Sequence, residues 1–214
     1  MTQNQSLEWH NPEQTNAHKY LIPKILSILS KHHQPAHRNI LDAGCGNGAI
    51  ANILQRNGYK ITAIDSSESG IDHAQRAYPN VHFRNISIYE NLSETLKQKF
   101  DIIVSTEVVE HLTDPQLYAE NLFNALDDNG LLIVSTPYHG YLKNLTISIF
   151  NKWDNHFTVL WDGGHIKFWS YKTLKKLLSN AGFASFSFYG AGRLHFLWKS
   201  MIIVAQKSHP SETS

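Results

Sequence analysis

Cysteine is nearly missing from this 214-residue sequence. Cys45 stands alone, which excludes an intramolecular disulfide framework and a zinc site built from cysteines. Net charge is nearly missing too: 19 Lys and Arg against 18 Asp and Glu leave +1. The electrostatic footprint of a dedicated nucleic-acid binder is therefore absent. Long apolar runs are lacking as well. The longest, Leu131 to Val134 and Met201 to Ala205, are strand-sized, whereas a membrane-spanning helix needs about 20 apolar residues. The polar opening Met1-Thr2-Gln3-Asn4-Gln5-Ser6 shows no targeting segment. With the single thiol, these features lead us to expect a soluble cytoplasmic protein.

What is present fits one domain, 1–207, followed by a disordered tail, 208–214. At 42% hydrophobic, a chain this long buries roughly 70% of its unfolded surface and needs no staples. Histidine is abundant at 13 residues. They are scattered from His10 to His209, so they form neither a tag nor a metal-binding tract.

Strand-like and helix-like segments alternate, the pattern of a mostly parallel sheet with helices on both faces. Within a helical leader, 1–36, helical spacing falls around Tyr20 to Ser30. Strands are expected at Asn39–Ala43, Lys60–Asp65, Val81–Ile86, Phe100–Ser105 and Leu131–Thr136. Between them, Ile50, Ile53 and Leu54 share a helical face, and Ser66 to Tyr78 is helical until Pro79. Pro115 suits the first turn of a helix reaching about Leu126, ended by Asp128-Asn129-Gly130. Ser170 caps a helix carrying Leu174, Leu177 and Leu178 on one face, with Gly182 at its end. Phe183–Tyr189 and Met201–Gln206 are close enough to pair antiparallel.

One stretch breaks the rhythm. Residues 138–168 occupy about 30 positions where a connection of 2 to 6 suffices. Long insertions of this kind are commonly lids or binding loops, so substrate specificity is expected here. Leu142, Leu145, Ile149, Phe150 and Trp153 recur at helical spacing. That stripe predicts either a lid helix packed on the domain or a hydrophobic mouth for an aromatic or prenylated substrate, which could rest on a membrane surface. Lys143 and Lys152 are too few for strong anionic-lipid attraction. Tyr138, His139, Trp153 and Trp161 are candidate substrate contacts, and Trp169 and Trp198 are further aromatics for the pocket or the core. Asn144-Leu145-Thr146 matches a glycosylation sequon, which has no meaning in a cytoplasmic protein.

The chemistry concentrates after the first strand, in Leu41-Asp42-Ala43-Gly44-Cys45-Gly46-Asn47-Gly48. Glycines there let the backbone turn sharply and approach a ligand, with helix N–H groups aimed at it. The spacing is Gly-x-Gly-x-Gly rather than the Gly-x-Gly-x-x-Gly of dinucleotide folds, so no pyrophosphate need be accommodated. Asp42 is placed to hydrogen-bond an amine or water at a ligand's cationic end. Asp65, ending the second strand, offers a carboxylate to ribose hydroxyls. Either aspartate alone is equally a cap or turn residue; the pair, with its strand placement, is more specific.

On these residues, and on Phe100-Asp101-Ile102-Ile103-Val104-Ser105-Thr106-Glu107-Val108-Val109-Glu110-His111-Leu112, the chain resembles the class I S-adenosylmethionine-dependent methyltransferases. The resemblance covers roughly 39–206 and is nearest to the O-methyltransferases of ubiquinone biosynthesis. It implies a Rossmann-like seven-stranded sheet with an antiparallel last strand and S-adenosylmethionine as cofactor. By resemblance, Gly44, Gly46 and Gly48 contact the methionine moiety, Asp65 the ribose, and Thr106 passes near the methionine; Asp42, Cys45 and Ser66 are further candidate cofactor contacts. The family often has Asp after the third strand, against adenine. Here Asn85-Ile86-Ser87-Ile88 departs from that pattern, leaving Ser87 to hydrogen-bond and Ile88 to pack on the ring.

Glu107, Glu110 and His111 lie at i, i+3 and i+4, on one face if the segment is helical. Two carboxylates and an imidazole there suit a divalent cation, Mg²⁺, Mn²⁺ or Zn²⁺. Such an ion would chelate a catechol-like oxygen pair and lower the attacking hydroxyl's pKa. The alternative is that Glu107 organises the cofactor, Glu110 caps locally and His111 packs under the sheet. In Gly163-Gly164-His165-Ile166-Lys167-Phe168, His165 is by resemblance a fourth ligand or the general base. His165, His111 and Glu107 are thus the catalytic candidates, with His139 beside them.

The expected activity is methyl transfer to a small-molecule acceptor, foremost a phenolic or catechol-like hydroxyl. Transfer to nitrogen or carbon remains an alternative, because the fold does not dictate the acceptor. A noncatalytic cofactor-binding partner would bind without turnover. A nicotinamide dehydrogenase would use Asp65 but fits the glycine spacing poorly. Oligomeric state is not readable from the residues.

Overall fold

The computed structural model describes residues 17–32, 38–157, 160 and 164–207. The expected tail and the first sixteen residues of the leader lie outside them. Seven strands form one sheet: β1 (Asn39–Ala43), β2 (Lys60–Asp65), β3 (His82–Asn85), β4 (Phe100–Thr106), β5 (Leu126–Pro137), β6 (Phe183–Ala191) and β7 (Ser200–Lys207). Their order is β3-β2-β1-β4-β5-β7-β6. The first five run parallel, whereas β7 is antiparallel to both β5 and β6. Reversal of that one strand brings its first residue, Ser200, beside Pro137 at the end of β5.

Strand side chains alternate between two buried layers, as a sheet covered on both faces requires. Leu41, Ala43 and Ile103 join one core, with Leu92, Tyr118, Leu122 and Leu174 from α4 (Leu92–Leu96), α5 (Pro115–Ala125) and α8 (Tyr171–Asn180). Ile40, Ile102 and Val104 join the other. There Leu21, Ile25, Ile50, Leu54 and Ile71 come from α1 (His18–His32), α2 (Ala49–Arg56) and α3 (Glu68–Ala77). Capping follows the sequence. Asp114 accepts from Leu117 N at 3.1 Å with Pro115 opening α5. Ser170 and Thr173 form a capping box at α8.

Two expectations are corrected, and one element was not anticipated. The helix after Pro115 ends at Ala125, and β5 begins at Leu126 rather than Leu131. The register jumps from Phe100↔Leu126 to Ile102↔Leu131, so the Asp127–Gly130 stretch bulges out and regular pairing resumes at Leu131. Helix α4, capped by Asn91, was not anticipated, because five residues are too few to show a period. The aromatic stripe is not one helix. It divides into α6 (Tyr141–Ile149) and α7 (Trp153–Phe157), separated by Asn151 at φ 47°.

Nor is the stripe packed on the domain. Ile149 is 68% exposed and Phe150 65%, while the buried residue of α6 is Lys143. No helix among the described residues is long and apolar enough to cross a membrane.

Candidate active site

The glycine loop leaves β1 and returns into α2. Gly44 N and Cys45 N donate to the Ile64 carbonyl at 2.9 Å, so the loop hangs from the end of β2. Asp65 tightens it: one carboxylate oxygen accepts from Gly46 N and the other from Ser67 N, both at 2.8 Å. A carboxylate has about four acceptor positions, so Asp65 keeps room for ribose hydroxyls while it holds the loop. Ser66 beside it is exposed, and Ser67 is the residue that caps α3.

Two glycines are dictated by packing. Gly44 sits at φ 83°, and a Cβ there would lie 2.4 Å from Val108 Cγ2. Gly48, at φ 77°, would meet Phe83 Cζ at 2.6 Å. The first contact matters most, because Val108 is the residue after Glu107. The cofactor loop and the acidic segment are therefore pressed together, in space as well as in expectation.

Under the loop, Asp42 is fully buried, and neither of its oxygens completes a hydrogen bond. Burial first and the nearby Asp65 charge second raise its pKa to about 7. An orphaned carboxylate below a glycine loop fits a ligand with a cationic head, which is how S-adenosylmethionine would be accommodated. Cys45 points into the core, where burial pushes its thiol up, so only its backbone is available to a ligand. Ser87 accepts from Tyr89 N at 3.3 Å. Ile88 is only 9% exposed within the core beside Leu92, which leaves little of it for an adenine ring. Thr106 ends β4, half-buried, opposite Ser135.

The acidic segment does not form the helical face that its spacing predicts. Glu107 takes φ 54°, and the helical turn that follows is a 3-10 turn over Val109–His111. The side chains separate as a result. Glu107 turns toward the ends of β5 and β7, where Ser135 Oγ donates to Oε1 at 2.7 Å and Ser200 Oγ to Oε2 at 3.2 Å. Burial raises its pKa to about 7, against the pull of those two hydroxyls and of Lys143.

Glu110 goes the other way and is fully buried. Thr136 Oγ1 donates to Oε2 at 3.0 Å, while Oε1 has no hydrogen bond and lies 4.0 Å from His165 Nε2. Burial and the Glu107 charge push its pKa well up. Its carbonyl anchors the insertion by accepting from Ile166 N and Lys167 N at 3.0 Å. His111 Nδ1 stands 3.3 Å from the Gly164 carbonyl, and its ring meets His165 edge-on at 4.9 Å. Burial, then His111, lowers the His165 pKa to about 4, so its imidazole is neutral at pH 7.

One ligand atom from each of Glu110, His111 and His165 can lie within 4.8 Å of the others. Glu107 is outside that group, held by its two serines. One carboxyl oxygen and two imidazole nitrogens suit Zn²⁺ or Mn²⁺ better than Mg²⁺, which prefers oxygen.

The residues expected to contact the substrate lie among aromatic rings. Tyr138 packs edge-on to Trp198 at 5.2 Å, and its carbonyl accepts from Lys143 Nζ at 2.7 Å. That buried lysine has its pKa lowered to about 8 by desolvation. His139 stacks on Phe157 and meets Phe168 edge-on at 5.2 Å, and burial lowers its pKa to about 4. Trp153 stacks on Phe157 at 4.9 Å. Trp169 Nε1 donates to the Val109 carbonyl at 3.1 Å and so braces the 3-10 turn. Trp161 lies outside the described residues.

Sequence reading missed Ser135, Thr136, Lys143 and Ser200. A signal existed for the first two and for Ser200: each is a small hydroxyl at the edge of an apolar run, Leu131–Val134 or Met201–Ala205.

Comparison with known proteins points one way. Residues 14–187 match a family model described as "Methyltransferase domain". The ubiquinone biosynthesis O-methyltransferase of Rickettsia canadensis (strain McKiel) is 35% identical over 120 residues, covering 55% of this chain and 49% of that protein. The protein of the same name from Coxiella burnetii (strain Dugway 5J108-111) is 33% identical over 134 residues, covering 60% and 56%. The chain thus spans about half the length of the curated relatives it matches. Among solved structures, magnesium protoporphyrin IX methyltransferase from Synechocystis PCC 6803, with bound SAH, superposes at TM-score 0.66. Identity is 19%, with 88% of this chain and 82% of that one covered. The methyltransferase domain of bacterial CtHen1 superposes at 0.65 with 21% identity, covering 87% and 97%. At such identities the likeness is of fold.

Proposed function

The chain belongs to the methyltransferase-domain family of S-adenosylmethionine-dependent enzymes, and from that premise we propose that it methylates a hydroxyl of a small phenolic or catechol-like acceptor. One observation carries this reading: Gly44 of the cofactor loop packs against Val108, the residue that follows Glu107 in the chain. A methyl donor in the loop and a proton acceptor for the substrate hydroxyl are thereby neighbours. The printed name of the O-methyltransferase relatives supports oxygen as the atom methylated.

S-adenosylmethionine, when bound, supplies a methyl group already activated on a sulfonium, so the protein's task is positioning and deprotonation. Gly44, Gly46 and Gly48 give the loop its shape, Asp42 faces the cationic end, and Asp65 serves the ribose. Glu107 takes the acceptor's proton. A carboxyl with a pKa about 7 is matched to that duty near neutral pH. His165, uncharged at pH 7, and His139 line the acceptor with Tyr138 and Trp153. Glu110, His111 and His165 are the residues that would hold a divalent cation, which would orient two vicinal oxygens.

Calorimetric titration with S-adenosylmethionine, followed by turnover on a panel of catechols and phenols, tests the reading. Binding with turnover on hydroxyl acceptors is expected, with an acid limb in kcat/KM near pH 7. Binding with no transfer to any hydroxyl would overturn it. Turnover unchanged after exhaustive EDTA treatment would remove the cation and leave the methyl transfer standing.

A further inference from the structure

Glu107 is held by hydroxyls contributed from three distant parts of the chain. Ser135 comes from β5, Ser200 from the first position of β7, and Tyr20 from α1 lies behind Ser200, its hydroxyl 3.1 Å from Ser200 Oγ. With Glu107 ionised, counting protons orders this chain of bonds. Ser200 has one hydroxyl proton and gives it to Glu107 Oε2. Its oxygen must then accept, so Tyr20 is the donor. Burial, with Glu107 and Glu110 nearby, raises the Tyr20 pKa, which keeps its proton in place. Lys199, one residue earlier, puts Nζ over the Tyr20 ring at 5.2 Å and fixes the same junction.

We propose that Tyr20 and Ser200 are positioning residues: the ordered chain Tyr20–Ser200–Glu107, closed by Ser135, aims the Glu107 carboxylate at the acceptor and makes α1 part of the site. The geometry explains why Glu107 tolerates φ 54°. A non-glycine residue in the left-handed region carries a backbone cost. Two hydroxyl donors to its carboxylate, with its own N–H held at 3.1 Å from the Ser135 carbonyl, offset that cost. The chain also separates the two carboxylates: the serines take Glu107, and Thr136 takes Glu110. Each acid keeps its own donor and its own direction.

The inference rests on Glu107 serving the acceptor, and its test separates the two claims. Full-length Tyr20→Phe, Ser200→Ala and Ser200→Thr would be compared with wild type for kcat, for KM toward S-adenosylmethionine and catechol, and for calorimetric affinity toward the cofactor. Ser200→Ala is expected to lower kcat about tenfold and Tyr20→Phe about threefold. Cofactor affinity stays within about twofold, and Ser200→Thr recovers most of the activity. A second readout needs no acceptor: the Glu107 carboxyl band, assigned by infrared difference against Glu107→Gln. Its titration is expected to move upward by about one pH unit in Ser200→Ala, because a donor to the ionised form is gone. Unchanged kcat in both variants would overturn the proposal, as would an unmoved carboxyl band. So would a fall in kcat that tracks lost cofactor affinity or lost folded fraction. If Glu107→Gln itself keeps full turnover, the reading of Glu107 fails first.

Discussion

The two halves of the site are built by different means. The cofactor half is short-range and largely backbone: Gly44, Cys45 and Gly46 N–H groups bond to Ile64 and Asp65 within some twenty residues of themselves. The acceptor half is long-range and made of side chains. Glu107 reaches Ser200 across 93 residues, and Ser200 reaches Tyr20 across 180. The first half needs a fixed shape, and glycine with one acid supplies it locally. The second needs a particular orientation of a carboxylate, which only groups on several elements can impose.

The sharpest test of this contrast is Glu107→Gln. The acceptor half is expected to fail alone: kcat falls about 10²–10⁴-fold, while calorimetry finds cofactor affinity within about twofold of wild type. Joint loss of both would erase the distinction. Gly44→Ala probes the other half. A methyl group at φ 83°, 2.4 Å from Val108 Cγ2, is expected to cost about 2–4 kcal/mol in urea unfolding. Because Val108 adjoins Glu107, it also tests how firmly the halves are joined.

Comparable in size, and dependent on pH, is Asp42→Asn. Its carboxyl stands at about 7 in the folded chain against about 3.9 unfolded. The folded state therefore binds the proton more tightly, and the stability this contributes is whole below pH 4. It declines as pH rises and is gone once pH passes about 7. Unfolding free energy of the ligand-free wild type should fall relative to the variant across that window, by about 3–4 kcal/mol at most. A difference independent of pH would mean that Asp42 is already ionised and paired.

The smallest effect is expected from Ile149→Ser with Phe150→Ser. Both side chains are exposed, so stability should change by no more than about 0.5 kcal/mol. A larger loss would show that this face is covered in solution.

Legibility followed the same division. Strands β1, β2 and β4, the glycine loop and Asp65 were readable because each is a local pattern with a fixed period or spacing. The cluster after β4 was readable in its residue types and not in its geometry. Helical spacing grouped Glu107 with Glu110, whereas its left-handed backbone turns it to the serines. The aromatic stripe misled for a related reason: period 3.6 reveals a face, and does not say what that face meets. Lys143, buried beneath it, looked like any surface lysine. Tyr20 carried no signal, since nothing near position 20 records that a strand starting at 200 will pass beside it.

The reversed direction of β7 has a consequence in time. A parallel last strand would begin at the far end of the sheet; this one begins at the active end, next to Pro137. Ser200 therefore joins Glu107 only once β7 has been made, 93 residues later in the chain. Until the final strand threads between β5 and β6, a nascent chain can possess a formed cofactor loop and still lack an aimed base.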